Sequence, residues 1–391
     1  MFMDAISKLP TTNTSMFSSS IKTISSPFCS LSSLCSSSSS SSSFQPRQHI
    51  LTLRKSISTT NKTRKRDLCI ISNSKMEEFH SQSQSSPPSQ GAESFFRSVL
   101  ASMEKVYLSR NPTANAILEL VHSTDNAHIC YDHFAFRTFG VDGYGITSMA
   151  KFFLDFGYSP RDELRFPAKK LKALWFAPPT NAHASSGSGV DGPFPRIFIS
   201  ELLVDEMSPR AQEIIKKYTK VSSSGCKHAA LASALGSLTW EKPLYSDFQE
   251  LARESEYAAW TLVNGYALNH ATISTHRLNT HLKNIKSLNH FIEENGFKLN
   301  TEGGVLKVSP DGLLLQSSTV ADSTTFQFAD GITEHVPRSY IEFAERLVLP
   351  QYQSIPKLEI KEFHRREGFE VGNADKIFES TSKEQLTRKT G

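Results

Sequence analysis

Apolar residues between positions 93 and 108 recur at three- and four-residue steps: Phe95, Phe96, Val99, Leu100, Met103, Val106 and Tyr107. That spacing predicts one amphipathic helix. A second, shorter helix is predicted around 114–122. The pattern then changes to strict alternation. In "ICYDHFAFRTFG" (129–140), Phe134, Phe136 and Thr138 share one face of a strand, and His133, Ala135 and Arg137 share the other. The aromatic face reads as core. The opposite face admits two readings: a wet outer face, where His and Arg ordinarily lie, or two chemistry-bearing side chains set in line.

The same order of elements is predicted twice. After the His133 strand, "ITSMAKFFLDFGY" (146–158) reads as a helix stopped at Gly157. Strand-like "DELRFP", "KKLKALWFAP" and "RIFISELLV" follow. Downstream, "YALNHATIST" (266–275) is again a strand, with His270, Thr272 and Ser274 on one face. "LNTHLKNIKSLNHFIEENGF" (278–297) is its helix, stopped at Gly296, and "VLKVSP", "GLLLQSSTVA" and "TTFQFA" are its later strands. From strand His to helix-ending Gly the interval is 24 residues in the first copy and 26 in the second. Order and spacing therefore predict two divergent βαβββ units in an α+β fold. The first unit spans about 128–205 and the second about 265–350, with a connector at about 206–264 and a tail at 351–391. The connector includes a helix opened by "SDFQ", where Ser246 and Gln249 have capping-box spacing. The loop at 178–195 reads as a flexible insertion.

Composition sets residues 1–75 apart. They hold ten Lys/Arg against two acids, Asp4 and Asp67, and include the run "CSSSSSSSSF". A segment this polar and repetitive cannot form a core. A disordered regulatory tail would look similar, but position, hydroxyl content and lack of acids favour a plastid transit peptide, read by the import machinery and then removed. Residues 76–91 read as a linker and 92–391 as the catalytic domain. Without the leader, the 43 basic and 39 acidic residues of the chain become 33 and 37, a net charge of −4. The basic balance belongs to the leader, so no nucleic-acid partner is implied. The apolar runs are too short for a membrane span. Cys130 and Cys226 remain with no zinc or disulfide spacing and read as reduced thiols.

One His at the same place in each unit says more than a lone His. Two imidazoles and a carboxylate, with open positions left for substrate and oxygen, make a common mononuclear redox site. A carboxylate from a late strand of the second unit would complete it, and "VPRSYIEFAERLVLP" (336–350) offers Glu342. On an extended reading Tyr340, Glu342 and Ala344 share a face, which sets Glu342 among apolar neighbours, unusual for an unpaired acid. Glu345 falls on the Phe343 face and is expected to mark emergence into solvent. A helix over 340–349, with both acids exposed, is the alternative.

The segments "YDHFAFRTFG", "GYALNHATIST", "GGVLKVSPDGLLLQSSTVA" and "RSYIEFAERL" together resemble the 2-oxoadipate dioxygenase/decarboxylase family over roughly residues 92–360. The resemblance implies a vicinal-oxygen-chelate fold, in which the two units form a partial barrel around a metal. It implies Fe(II) held by His133, His270 and Glu342, with Arg137 on a substrate carboxylate, these four residues making up the catalytic and substrate-binding set. It further implies conversion of 2-oxoadipate and O2 to 2-hydroxyglutarate and CO2 in lysine catabolism, with both oxygen atoms incorporated. The leader and the tail "GFEVGNADKIFES" resemble the plant plastid branch. Bacterial members are longer behind the carboxylate ligand, so any substrate contact drawn from that region does not carry over.

Other polar residues carry weaker expectations. Gln316 and Ser318 share a strand face and would line the cavity or be ordinary strand polarity. Tyr340 would donate a hydrogen bond in the pocket or fill it. His276, His281 and His290 lack a one-face metal spacing and read as surface residues, and His335 as an exposed loop residue. Two other functions stay open: a non-redox metal isomerase or lyase of the glyoxalase type, with Gln316 as an added donor, and a non-catalytic plastid factor that keeps the fold for binding. A fluorescent fusion of residues 1–75 is expected to enter chloroplasts or amyloplasts, and a cytosolic signal with uncleaved protein would refute the leader assignment.

Overall fold

The computed structural model describes residues 90–126, 129–179, 187–220 and 225–388. The leader and nearly all of the linker lie outside the described residues, as do 180–186 of the loop insertion. Helices α1 (Gln90–Arg110) and α2 (Pro112–Asp125) open the described chain. Asn111 separates them: its side-chain oxygen accepts the Ala114 N–H, and Pro112 follows at the first helical position, where its missing N–H costs nothing. Phe96 of α1 packs among Phe152, Phe156 and Phe194, so α1 covers the apolar side of the first βαβββ unit.

That unit is β1 (Tyr131–Phe139), α3 (Ile146–Asp155), β2 (Ser159–Phe166), β3 (Leu171–Ala177) and β4 (Arg196–Leu202). Gly157, at φ 83°, reverses the chain after α3, a backbone conformation open to glycine. The connector holds α4 (Pro209–Thr219), α5 (Gly225–Leu235), α6 (Tyr245–Glu254) and α7 (Glu256–Asn264). The second unit is β5 (His270–Ser274), α8 (Ile285–Glu294), β6 (Lys307–Val308), β7 (Leu314–Ser318) and, after a hairpin, β10 (Tyr340–Arg346). Eight strands form one sheet in the order β2-β3-β4-β1-β5-β10-β7-β6. Outward from the antiparallel β1–β5 seam each half reads alike: a parallel neighbour, β4 or β10, then two antiparallel strands. The two βαβββ units are thus real and joined edge to edge. After β10 the tail adds α9 (Val371–Ile377), a 3-10 turn (Phe378–Thr381) and α10 (Lys383–Thr387).

Five local expectations need correction or decision. The "TTFQFA" segment is a strand, β8 (Ser323–Gln327), but it pairs with β9 (Thr333–Pro337) in a separate ribbon. Its alternate residues stay exposed, and Phe326 packs on a small satellite cluster around Phe328 and Val336. Helix α8 begins seven residues later than its apolar pattern implies. Asn284 accepts the Lys286 and Ser287 N–H groups, while Glu345 of β10 accepts that of Ile285. Glu345 therefore caps a helix and does not lead into solvent. No capping box forms at Ser246, which lies inside α6; Tyr218 Oη and the Asp330 carboxylate instead take the Leu244 and Tyr245 N–H groups. Finally, residues 340–346 are extended, which rejects the helical alternative for Glu342.

All nine residues of β1 are buried. The aromatic face meets α3, with Phe136 5.7 Å from Phe153. The His133–Arg137 face is not wet, because the tail covers it: Phe369 stands edge-on to His133 at 4.8 Å, and Thr381 accepts from Arg137 at 3.0 Å. Glu345→Ala is expected to cost about 0.5–2 kcal/mol, the usual loss for a helix cap, in urea unfolding. An unchanged midpoint would show that Asn284 alone starts α8.

Candidate metal centre

His133 and His270 face each other across the β1–β5 seam, and Glu342 reaches them from the neighbouring β10. Register explains the convergence: Ala135 pairs with His270 on one side of β5 and Tyr340 on the other, so Glu342 sits beside Thr272 with its side chain on the shared face. The two Nε2 atoms lie 3.2 Å apart, and Glu342 Oε2 lies 3.6 Å from His133 Nε2 and 3.1 Å from His270 Nε2. A triangle of these sides can be capped by one ion at about 2.1 Å from each donor, the ordinary range for imidazole and carboxylate ligands. All three side chains are buried. The donor set and its spacing fit a single divalent ion.

Burial raises the cost of charge on each of the three side chains, yet the partners decide the outcome. Glu342 falls to about 2, because the two imidazoles outweigh the desolvation that would raise it. His270 is driven down to about 4 by burial, only partly offset by Glu342. His133 moves the other way: burial lowers it, but Glu342 and Asp132 together lift it above the usual histidine value.

Asp132 was not legible as a site residue, since strict alternation sends it to the face opposite His133. The strand is not regular there. Tyr131 pairs with Ile273 but His133 with Thr272, so Asp132 is the extra residue of a β-bulge, a device that re-aims a side chain. Its Oδ2 accepts from His133 Nδ1 at 2.9 Å, which turns Nε2 to the centre. Arg346 Nε donates to Oδ1 at 2.7 Å and Nη2 to Oδ2 at 2.9 Å, and Arg196 adds a contact at 3.2 Å. Burial would raise the carboxyl, but these guanidinium groups hold it well below the usual range. On His270 the matching role falls to Asn269, whose Oδ1 lies 2.9 Å from Nδ1. The repeated pattern of a short polar residue directly before each His, "DH" and "NH", was the available signal.

Gln316 is at the site, donating to Glu342 Oε1 at 2.6 Å while its own oxygen accepts from Asn373. Ser318 turns away to Ser380 of the tail. Tyr340 stacks on the His270 ring at 4.7 Å, and its hydroxyl lies beside the Arg137 guanidinium. Neither that hydroxyl nor Arg137 Nε completes a hydrogen bond with protein. Arg137 is 1% exposed, bonded to Thr381 and the Phe378 carbonyl and flanked by the Tyr257 and Trp260 rings. Its donors thus lie one tyrosine ring away from a metal-site histidine. His276 corrects the surface reading: its side chain is 5% exposed and pairs with Glu362 at 3.2 Å. His281, His290 and His335 are exposed as expected, but His335 lies on β9 and not in a loop. Cys130 is buried, and burial pushes its thiol up. The Cys226 side chain lies outside the described residues.

The model of the family described as 2-oxoadipate dioxygenase/decarboxylase matches residues 99–357. The chain belongs to that family. A rice (Oryza sativa subsp. japonica) member, named as a chloroplastic/amyloplastic 2-oxoadipate dioxygenase/decarboxylase, is 73% identical over 300 residues, 77% of this chain and 82% of the relative. The crystal structure of a rice hydroxyglutarate synthase in complex with 2-oxoadipate is similar at TM-score 0.75 and 72% identity, covering 78% of this chain and 99% of that one. The fold also recurs in a putative glyoxalase superfamily protein from Ralstonia eutropha, at TM-score 0.50 and 19% identity over 77% and 96% of the two chains. Family membership covers both units and the intervening connector.

Asp132→Asn is expected to weaken binding of one divalent ion about 10–100-fold in chelator competition, the usual effect of removing a carboxylate behind a ligating His. The same change leaves buried Arg346 without its carboxylate partner, while Arg196 keeps Glu362 and Glu367, and should cost about 3–5 kcal/mol of stability. Wild-type metal affinity in the variant would mean that His133 needs no such support.

Proposed function

We propose that the chain is an Fe(II)-dependent enzyme that converts 2-oxoadipate and O2 to 2-hydroxyglutarate and CO2 in the plastid, as a step of lysine breakdown. The convergence of His133, His270 and Glu342 on one point, in a member of this family, carries the reading. The atoms balance: the six-carbon acid loses one carbon as CO2, and the two oxygen atoms enter the new carboxylate and the hydroxyl of the five-carbon product. His133, His270 and Glu342 would hold the ion. When bound, Fe(II) supplies Lewis acidity for the 2-oxo-carboxylate end and the electrons for oxygen chemistry.

The protein's own groups do the rest. Asp132 and Asn269 keep the Nε2 atoms of both histidines free to ligate. The Arg137 fork, on the same strand face as His133, matches a carboxylate bidentately, and its orphaned Nε leaves donor capacity for one. The Cα atoms of His133 and Arg137 are roughly 13 Å apart along the strand, a span that suits a substrate held at both ends. The Tyr340 hydroxyl, kept protonated by burial, is placed to donate between those ends. Phe198, Phe369 and Ile377 line the centre and exclude water.

One observation weighs against the isomerase alternative. By register Phe198 holds in the first unit the place Glu342 holds in the second, two residues on from the partner of the strand (Arg196 beside His133, Tyr340 beside His270). A fourth donor from that strand is therefore lacking, and the Gln316 oxygen is engaged by Asn373. The leader reading accords with the plastid name of the rice relative. No described helix is long and apolar enough to cross a membrane.

Anaerobic loading with Fe(II), followed by oxygen uptake on 2-oxoadipate, tests the reading; equal amounts of O2 consumed and CO2 released are expected. His270→Ala and Glu342→Ala should abolish turnover and retention of one iron. Arg137→Ala should keep the iron but lower kcat/KM by about 30-fold to several thousand-fold, the loss of one partner of a buried charge pair at about 2–5 kcal/mol. Arg137→Lys should recover only part of it. Unchanged kinetics in Arg137→Ala would return this residue to a structural role, and activity with zinc in the absence of oxygen would favour the isomerase.

A further inference from the structure

Two cavities lie on the His133–Arg137 face of β1. One, of about 20 Å³, is lined by the three metal-site side chains with Phe369, Ile377 and Phe378 among the others. That volume admits about one water molecule. The other, of about 250 Å³, is lined by Arg137, Lys169, Glu256, Tyr257, Phe378 and Thr381 among others. Phe378 is the residue common to both linings. A 2-oxo diacid held by the metal centre at one end and by Arg137 at the other has to occupy both spaces at once, and as the side chains stand it cannot.

Phe378 is held by contacts that can be exchanged. Its ring meets Phe166 edge-on at 5.1 Å and Tyr257 at 6.3 Å, and its carbonyl accepts from Arg137 Nη2 at a long 3.3 Å. The segment that carries it is latched to the first unit by Lys169, which pairs with Asp375 at 3.0 Å and Glu379 at 2.9 Å. All three of these groups are partly exposed, so each pair contributes at most about 1 kcal/mol. The tail that seals the centre is thus fastened weakly at its outer edge, and one apolar ring borders both the cavity of the metal donors and that of the carboxylate-binding arginine.

We infer that Phe378 is a movable partition: its side chain turns aside to join the two cavities when substrate binds, and its bulk sets which chain length of 2-oxo diacid is accepted. This inference rests on the proposed 2-oxo diacid activity and names the residue that determines specificity within it. The test compares the full-length wild type with Phe378→Ala and Phe378→Trp, all iron-loaded, on five-, six-, seven- and eight-carbon 2-oxo diacids, and measures in parallel the rate at which a small chelator strips the iron. One methylene in an apolar pocket is worth about tenfold or more in kcat/KM. Phe378→Ala should therefore raise the seven-carbon to six-carbon ratio by about tenfold and speed iron removal, whereas Phe378→Trp should lower kcat/KM on the six-carbon acid. An unchanged chain-length ratio in Phe378→Ala that melts as a folded protein overturns the partition. Should the wild type consume no 2-oxo diacid, the proposed activity falls, and iron removal alone decides on Phe378: faster stripping in the Ala variant supports the partition, an equal rate refutes it.

Discussion

The carboxylate of Asp132 is where the two halves of this protein meet. It is fully buried, and taking a charge out of water costs several kcal/mol, so it persists only because three partners converge on it. His133 comes from its own strand, Arg196 from β4 of the same unit, and Arg346 from β10 of the other unit. Arg346 lies four residues beyond Glu342 on the same strand face, so the grip that orients His133 also fixes the strand that supplies Glu342. Arg196 extends the network to Glu362 and Glu367 at the start of the tail, and Glu362 binds His276 and Arg277. One buried charge therefore couples the metal donors, the seam between the units and the segment that closes over them.

The two units set their imidazoles symmetrically about the β1–β5 seam, and differences at neighbouring positions make the site directional. Asp132 stands behind one ligand and the neutral Asn269 behind the other. Four residues past the ligand, the first unit carries Arg137 and the second Ser274. Glu342 has its counterpart in Phe198, which packs on Phe369 at 4.9 Å. A symmetric barrel would offer four donors and no preferred side. Here three donors face an apolar wall, with one guanidinium displaced along β1, an arrangement suited to a ligand with different ends.

The tail converts an open sheet face into a closed one. Phe369, Asn373, Ile377, Phe378 and Thr381 each touch a residue of the site or of its immediate surround, and none was singled out from the linear pattern. Their short helices carry too few apolar positions for periodicity to mark a face. Low dielectric inside this enclosure strengthens the ion pairs and the Arg137 fork alike, while the outermost attachments through Lys169 stay solvent-exposed and weak.

The two βαβββ units, their order and the paired positions of His133 and His270 were legible in the chain, because alternation and helix stops are local and the repeat doubled each signal; Glu342, without a counterpart in the first unit, stayed open between strand and helix. A lone His on a strand would have carried little; its recurrence 137 residues later at the same step of the same unit carried much. Local chemistry misled where a distant group supplied the missing partner. Ser246 has capping spacing, yet Tyr218 and Asp330 take the exposed amides of α6, and Glu345 reads as a solvent-facing acid until it meets the start of α8. Tertiary structure alone decided that the polar face of β1 is dry and that Asp132 shares it. The first depends on which remote segment folds back over the sheet; the second depends on one extra residue in a strand pairing, and neither leaves a mark on the period of the sequence.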